Sequence, residues 1–144
     1  MTDKVFLDTN VLVYAHDEGA PEKRDRSRQL IFESMRNGSG VISAQVLSEF
    51  FVTVTRKAQV PMTADRAKKE IVLLSTMETI DVDSTLVVRA VDMAERWRVS
   101  YWDALVLAAA ERAGCRTLYS EDLADGQSYG SVTVRNPYPP SRLR

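Results

Sequence analysis

The amino-acid sequence predicts an α/β protein, built as a three-layer α/β/α sandwich around a mostly parallel central sheet. Short runs of branched and aromatic residues alternate along the chain with longer segments whose apolar residues recur at helical spacing. Strands that alternate with helices pair in parallel through right-handed crossovers, which cover the sheet with helices. We expect residues 1–144 to form a single domain, because this length buries a full core without staples.

The first predicted strand is the run Val5-Phe6-Leu7, whose composition is typical of a strand buried on both faces. Apolar residues at helical spacing follow it, and Asp8, Thr9 or Asn10 can cap that helix. Asp8 is therefore expected at the carboxyl edge of the parallel sheet, where open α/β sheets bind ligands. Taken alone, Asp8 is equally explained as a helix cap.

The middle of the chain continues the alternation and contributes a second acid. Its predicted elements are a helix at 22–36, a strand at 41–43, a helix at 44–58, a helix at 63–75 and a strand at 78–82. In the first of these helices Leu30 and Phe32 are expected to face the core, and Ser43 is expected to cap the second. Glu49 lies on the flank of the second helix, where it can reach either bulk water or the sheet's carboxyl edge.

The last third of the chain contributes two more acids. Its predicted elements are a helix capped by Ser84 and reaching residue 97, a buried helix at 104–110, a strand at 116–119 and a closing edge strand at 131–135. Asp103 opens the buried helix, although Ser100 and Asp103 also have the spacing of a capping box. Asp122 closely follows a strand, as Asp8 does.

Composition excludes several classes of site. Cys115 is the only cysteine and His16 the only histidine, which excludes internal disulfides, Cys/His zinc sites and histidine-based triads. The net charge of −1 excludes a strongly basic surface, so a nucleic acid would need a local patch. The best such patch comprises four residues that are interleaved with acids, so a solvated helix face explains it too: Lys23, Arg24, Arg26 and Arg28.

No feature of the sequence predicts contact with a membrane. The first residues lack the pattern of a signal peptide, and Asp8 interrupts the apolar run too early for one. No apolar stretch reaches the roughly 18 residues that would span a bilayer. A cytoplasmic protein is expected.

The four acids Asp8, Glu49, Asp103 and Asp122 are expected at one edge of the sheet. Two like charges 4 Å apart repel by about 4 kcal/mol at an effective dielectric near 20, so such a cluster implies a bound cation. Oxygen ligands select hard ions, which favours Mg²⁺ or Mn²⁺ over zinc. One or two such ions can activate a water and orient a phosphodiester.

At these residues the chain resembles the PIN-domain ribonucleases, and within them the VapC toxins of type II toxin–antitoxin systems. The matching motifs are Phe-Leu-Asp-Thr-Asn around Asp8, Ser-Glu-Phe around Glu49, Tyr-Trp-Asp-Ala around Asp103 and Ser-Glu-Asp-Leu around Asp122. The final Val-x-Asn-Pro-Tyr resembles the end of one VapC branch, in which phenylalanine is more usual than Tyr138.

The resemblance implies a PIN-like sheet with helices on both faces and Mg²⁺- or Mn²⁺-dependent cleavage of RNA. It also implies a homodimer and inhibition by a cognate VapB-like antitoxin. Asp8, Glu49, Asp103 and Asp122 would be the catalytic metal ligands, with Thr9 and Ser120 as supporting hydroxyls.

Several alternatives remain open from the sequence. Thr9 can instead cap the first helix, and Glu121 or Asp125 can compete with Asp122, which matches the motif best. A catalytically silent RNA- or protein-binding module is possible on the same fold. Phosphoryl transfer through an aspartyl intermediate is disfavoured, because Asn10 stands where that chemistry usually has a second aspartate.

Overall fold

A computed structural model describes residues 3–139 as six strands in one sheet and six α-helices. The elements in chain order are β1 (Val5–Leu7), α1 (Thr9–Tyr14), α2 (Pro21–Asn37), β2 (Gly40–Ser43), α3 (Ala44–Val52), a π-helical turn (Thr53–Lys57), α4 (Ala64–Leu74), β3 (Glu78–Ile80), α5 (Ser84–Trp97), α6 (Tyr101–Arg112), β4 (Thr117–Tyr119), β5 (Ser128–Tyr129) and β6 (Val132–Arg135). The predicted α/β class is confirmed.

The sheet has the strand order β3-β2-β1-β4-β6-β5, and every pairing is parallel except that of β5 with β6. The first crossovers run from β1 outward to β2 and β3, whereas the next returns past β1 to β4. Right-handed crossovers in opposite directions place α1 to α4 on one face and α5 and α6 on the other. Accordingly α1 packs against α2 and α3, and α5 packs along α6. The strand order reverses between β1 and β4.

The core lies on both faces of β1 and β2 and around α6. Residues 104–110 of α6 are all buried, as the unbroken apolar run predicted. Phe32 was predicted to face the core and is instead 65% exposed. The buried face of α2 is formed by Ser27, Leu30 and Ser34, and a position two residues after Leu30 falls on the opposite side of a helix. Within residues 3–139, no helix is both long and apolar enough to cross a membrane.

Most helices begin where the sequence predicted. Ser43 caps α3 and Ser100 caps α6, each by accepting a hydrogen bond from a backbone N–H in the first turn. The prediction that Ser84 caps α5 was wrong, because the carboxylate of Asp83 accepts the Leu86 backbone N–H at 2.8 Å. The guanidinium of Arg112 also donates to both oxygens of Asp83, at 2.8 and 3.0 Å, and holds it in that position.

The predicted closing strand is present as β6, but it is not the edge of the sheet. Tyr129 pairs with Val132 across a two-residue turn in which Gly130 has φ of +64°. The left-handed backbone at this turn folds β5 back onto β6 as a short hairpin, so β5 becomes the edge strand. The sequence signal for β5 was weak because it has only two residues.

Candidate active site

The candidate site lies where β1 and β4 leave the sheet side by side. Asp8 follows β1, and its backbone N–H donates to the carbonyl of Tyr119 at 3.1 Å. Ser120 follows β4. This is the point at which the strand order reverses and crossovers depart to opposite faces, so a crevice opens at the carboxyl ends of the strands.

Asp8 is fixed by hydrogen bonds to both carboxylate oxygens. Oδ1 accepts the Thr9 backbone N–H at 2.8 Å, and Oδ2 accepts the Ser120 hydroxyl at 2.8 Å. The Asp8 residue is only 6% exposed. Burial, with a smaller contribution from the charges of Asp122 and Glu49, raises the pKa of Asp8 to about 6 against these two hydrogen bonds.

Glu49 comes from α3, which starts at the carboxyl end of β2. The Thr9 hydroxyl donates to Oε1 of Glu49 at 2.8 Å. Thr9 is the first residue of α1, and Asp8 occupies the N-cap position, so the alternative of Thr9 as a cap is wrong. The Thr9 side chain instead links α1 to the carboxylate on α3.

Asp103 lies in the first turn of α6. Its backbone N–H donates to the Ser100 hydroxyl at 3.1 Å, which is one half of a capping box. The backbone N–H of Ser100 does not donate to the Asp103 carboxylate in return, and that carboxylate accepts no hydrogen bond from any residue between 3 and 139. Asp103 is therefore at a capping position without its side chain being used for capping.

Asp122 lies on the loop after β4, at an exposed position. Its Oδ1 accepts the amide of Asn10 at 3.0 Å, and its backbone N–H donates to the Ser120 hydroxyl at 3.2 Å. Partial burial raises the pKa of Asp122 despite the Asn10 bond, and the charges of Asp103 and Glu121 raise it further. Ser120 thus contacts both Asp8 and the backbone of Asp122.

The two acids that compete with Asp122 are engaged elsewhere. Glu121 accepts the Tyr14 hydroxyl at 2.5 Å and the Lys23 ammonium at 2.9 Å. Asp125 accepts the backbone N–H of Asn136 at 2.9 Å. Neither of these acids lines the cavity that Asp122 lines.

Asp8, Glu49, Asp103 and Asp122 all line one open cavity of about 400 Å³. They come from four separate parts of the chain: Asp8 and Asp122 follow β1 and β4, Glu49 lies in the second turn of α3, and Asp103 lies in the first turn of α6. Parallel strands bring their carboxyl ends to one edge, and the helices that follow them start from that edge. The geometry can hold a polar or cationic group among several carboxylates.

Three further residues of this cavity were missed as site residues. Asn10 orients Asp122, and its presence in the run Asp8-Thr9-Asn10 was the available signal. Gln45 and Lys57 line the cavity with Glu49 and Thr53. Residues four apart share a helix face, so the positions 45, 49, 53 and 57 carried a periodic signal that was not used.

The donor set of the cavity fits a hard cation. All four acids offer oxygen, and among buried side-chain atoms of residues 3–139 only Oε1 of Gln45 lacks a hydrogen-bond partner. Within this part of the chain no three His, Cys, Asp or Glu side chains are grouped closely enough to enclose an ion.

The basic patch proposed from the sequence is largely neutralised. Lys23 pairs with Glu121, and Arg24 pairs with Glu18 and Asp25. The Nε of Arg26 donates to the Pro137 carbonyl, and that of Arg28 to the Ala15 carbonyl. These side chains hold loops and helices together.

Comparison with known proteins identifies the family. A family model described as PIN domain matches residues 5–124. Comparison with curated protein sequences gives no match. Among solved structures the fold is similar to that of Mycobacterium tuberculosis VapC20, described as a sarcin-ricin loop cleaving toxin, with a TM-score of 0.61 and 19% identity over 83% of this chain and 90% of that one.

Two complexes also contain similar chains. One is a toxin–antitoxin complex from Klebsiella pneumoniae, with a TM-score of 0.67 and 19% identity over 94% of this chain and 98% of that one. The other is DNA-bound VapBC from Salmonella typhimurium, with a TM-score of 0.64 and 18% identity over 93% and 98%. Identities this low establish the shared fold alone. Because the family model covers most of the chain, and the fold agrees with it, this chain belongs to the PIN domain family.

Proposed function

We propose that this chain is a metal-dependent endoribonuclease toxin, similar to VapC, that hydrolyses RNA phosphodiester bonds and is neutralised by a VapB-like antitoxin. The observation that carries the proposal is the single cavity lined by Asp8, Glu49, Asp103 and Asp122. The fold it shares with a toxin described as cleaving the sarcin-ricin loop supports RNA as the substrate class.

Asp8, Glu49, Asp103 and Asp122 would hold the divalent ion, Mg²⁺ or Mn²⁺. A bound ion of this kind activates water and neutralises charge on the phosphodiester oxygens.

The residues around the carboxylates keep them oriented before any ligand binds. Ser120 holds Asp8, and Thr9 holds Glu49, each through a hydroxyl donor at 2.8 Å. Asn10 holds Asp122 through its amide. Such supporting donors preset ligand geometry, and their loss typically costs 10–100-fold in metal affinity or activity. Lys57, on the wall of the same cavity, supplies a positive charge for an approaching phosphate.

Exposed apolar side chains on α4 and α5 support the proposal that this chain binds protein partners. Val88 and Val91 on α5 and Val72 and Leu73 on α4 are between 48% and 61% exposed. Exposed apolar groups on neighbouring helix turns mark interaction surfaces when they are contiguous. We infer that such surfaces serve a homodimer and the antitoxin, and the presence of chains with a similar fold in toxin–antitoxin complexes supports the antitoxin as a partner.

Cleavage of RNA by the purified, antitoxin-free chain is the direct test. Incubation with total RNA in Mg²⁺ or Mn²⁺ should generate new ends that can be mapped, and EDTA should abolish them. Asp8→Asn and Asp103→Asn should each lower the cleavage rate by at least about 100-fold, because each removes a charged ligand of the ion. Their circular dichroism spectra should remain those of the folded protein.

Glu95→Gln is the matched control, because Glu95 is an exposed acid on α5 that does not line the cavity. Its cleavage rate should equal that of the wild type. RNA binding that persists in EDTA, without strand scission in any metal, would identify a silent binding module. Turnover by Asp103→Asn would assign Asp103 to the helix start alone.

Substitutions of the neighbouring acids Glu121 and Asp122 should differ in their effects on RNA cleavage and on stability. Asp122→Asn should lose cleavage to the same extent as Asp103→Asn. Glu121→Gln should retain cleavage but lower the free energy of unfolding by about 1 kcal/mol, because it weakens the contact with Lys23. Denaturant unfolding measures the stability of both variants, and the RNA cleavage assay measures their activity. The reverse pattern would assign the fourth ligand to Glu121.

The raised pKa of Asp8 predicts a pH dependence of stability in metal-free buffer. Folded protein binds the Asp8 proton more tightly than unfolded protein, because the pKa is about 6 rather than 3.8. The free energy of unfolding should therefore fall as pH rises from about 4 to about 6, by about 1–3 kcal/mol, and stay low above that range. Asp8→Asn should lack this fall and be the more stable protein at pH 7. Urea titrations of both proteins at pH 4.5 and 7 measure the free energy of unfolding at each pH. An equal change in that free energy between the two pH values in both proteins would contradict the prediction.

The oligomeric state can be tested on the chain alone. Sedimentation velocity should give the mass of two chains in the micromolar range. Replacing Val88 by glutamate should shift the equilibrium toward one chain if α5 forms the interface, whereas the same change at the exposed Phe32 serves as the control. A wild-type protein with the mass of one chain at all concentrations would contradict the homodimer.

A further inference from the structure

A second cavity, of about 640 Å³, adjoins the acidic one. Thr53 and Lys57, the two ends of the π-helical turn, line both cavities. We infer that the second cavity binds a nucleotide of single-stranded RNA that flanks the scissile phosphate, an inference that rests on the function proposed above. The ligand class is a ribonucleotide with its phosphate.

The interior of this cavity offers apolar surface for a base. Val13 on α1, Val54 in the π-helical turn and Met62 in the following loop line it, together with His16. The imidazole of His16 packs edge-on against Phe50, with ring centroids 5.8 Å apart. Burial lowers the pKa of His16, and the charges of Arg66 and Arg28 act in the same direction against Glu70, so the ring is neutral at pH 7. A neutral flat ring beside aliphatic groups suits an unstacked base.

The rim of the cavity carries the positive charge that a phosphate needs. Arg28, Lys57 and Arg66 all line it, and neither Lys57 nor Arg66 forms an ion pair with an acid between residues 3 and 139. Asp17 and Glu18 also line the cavity. Their charge is partly compensated, because the Asp17 carboxylate accepts the Gly19 backbone N–H and Glu18 pairs with Arg24 and with Arg28, which leaves Lys57 and Arg66 as the cations available to a phosphate.

Electrostatics favours a polyanion at this position over an uncharged segment. The chain has a net charge of −1, and the adjoining cavity holds four acids, so a strand of RNA entering there meets repulsion on each side of the bound ion. Unpaired cations one cavity away offset that repulsion for the next phosphate. Basic grooves that track the backbone, combined with surfaces on which bases lie, are the usual means of holding single strands.

Arg66→Ala is the most selective test, because Arg66 lines only the second cavity. Lys68→Ala is the matched control: it removes one exposed cation from the same helix without touching either cavity. The probe is an RNA oligonucleotide that spans a mapped cleavage site, together with copies shortened by one nucleotide at a time from each end.

Arg66→Ala should raise KM severalfold with little change in kcat, and Arg66→Lys should restore most of the loss. Binding of the same oligonucleotide in EDTA, followed by fluorescence anisotropy, should show a salt dependence shallower by about 0.7 in log Kd against log salt, the value for one lost phosphate contact on a single strand. Removing the flanking nucleotide from the RNA should weaken its binding to the wild type but weaken its binding to Arg66→Ala far less. Shortening the RNA and substituting Arg66 delete the same contact, so their effects should not add.

The outcomes separate the two proposals. If the wild type cleaves RNA while Arg66→Ala matches Lys68→Ala in KM, salt dependence and response to shortening, the second cavity does not hold RNA and is open to another occupant, such as a peptide segment of a partner. If the wild type cleaves no RNA in any metal, the proposed function fails and this inference fails with it.

Discussion

The burial of the Asp8 carboxylate at the carboxyl ends of β1 and β4 is the constraint on which the site depends. Asp8 is nearly inaccessible to water, and its pKa of about 6 measures how far burial and nearby charge outweigh its hydrogen bonds. Two hydrogen-bond donors fixed in rigid elements offset part of the free-energy cost of burying the Asp8 carboxylate. They are the Ser120 hydroxyl at the end of β4 and the Thr9 backbone N–H at the start of α1. Under the proposed function, a bound cation would offset this cost, which would couple metal binding to the stability of the fold.

Topology explains why scattered acids meet. Strands β1, β2 and β4 are parallel neighbours, so their carboxyl ends share an edge, and α1, α3 and α6 start at or near that edge. This much follows from the alternation of strands and helices in the sequence, which is why Asp8, Glu49 and Asp103 can be placed near one another without coordinates. The register of the strands and the two-residue hairpin of β5 with β6 depend on pairing across the sheet, which the local sequence does not encode.

Side-chain partners were harder to predict than positions. The sequence favoured Asp122 over Glu121 only by its match to a motif, and in the structure Tyr14 and Lys23 hold Glu121 toward α1 and α2, whereas Asp122 lies beside Asn10. That distinction arises from residues about a hundred positions apart in the chain. Likewise the basic set on α2 was a candidate nucleic-acid surface by composition, and in the structure Lys23 and Arg24 pair with acids while Arg26 and Arg28 donate to backbone carbonyls. Periodicity identifies a helix face, whereas only tertiary structure decides which charge on that face is already neutralised.

The π-helical turn separates the acidic cavity from the cationic one. An α-helix that widens into a π-turn carries an extra residue, and such turns are frequently found at functional sites. Here the turn begins at Thr53 and ends at Lys57, and both residues stand on the wall between the acidic cavity and the cationic one. Lys57 therefore lines the acidic cavity together with the four acids, whereas Arg66 lines the adjoining cavity alone. A positive charge near carboxylates favours their ionised form, and under the proposed function the same charge would attract a phosphate toward them.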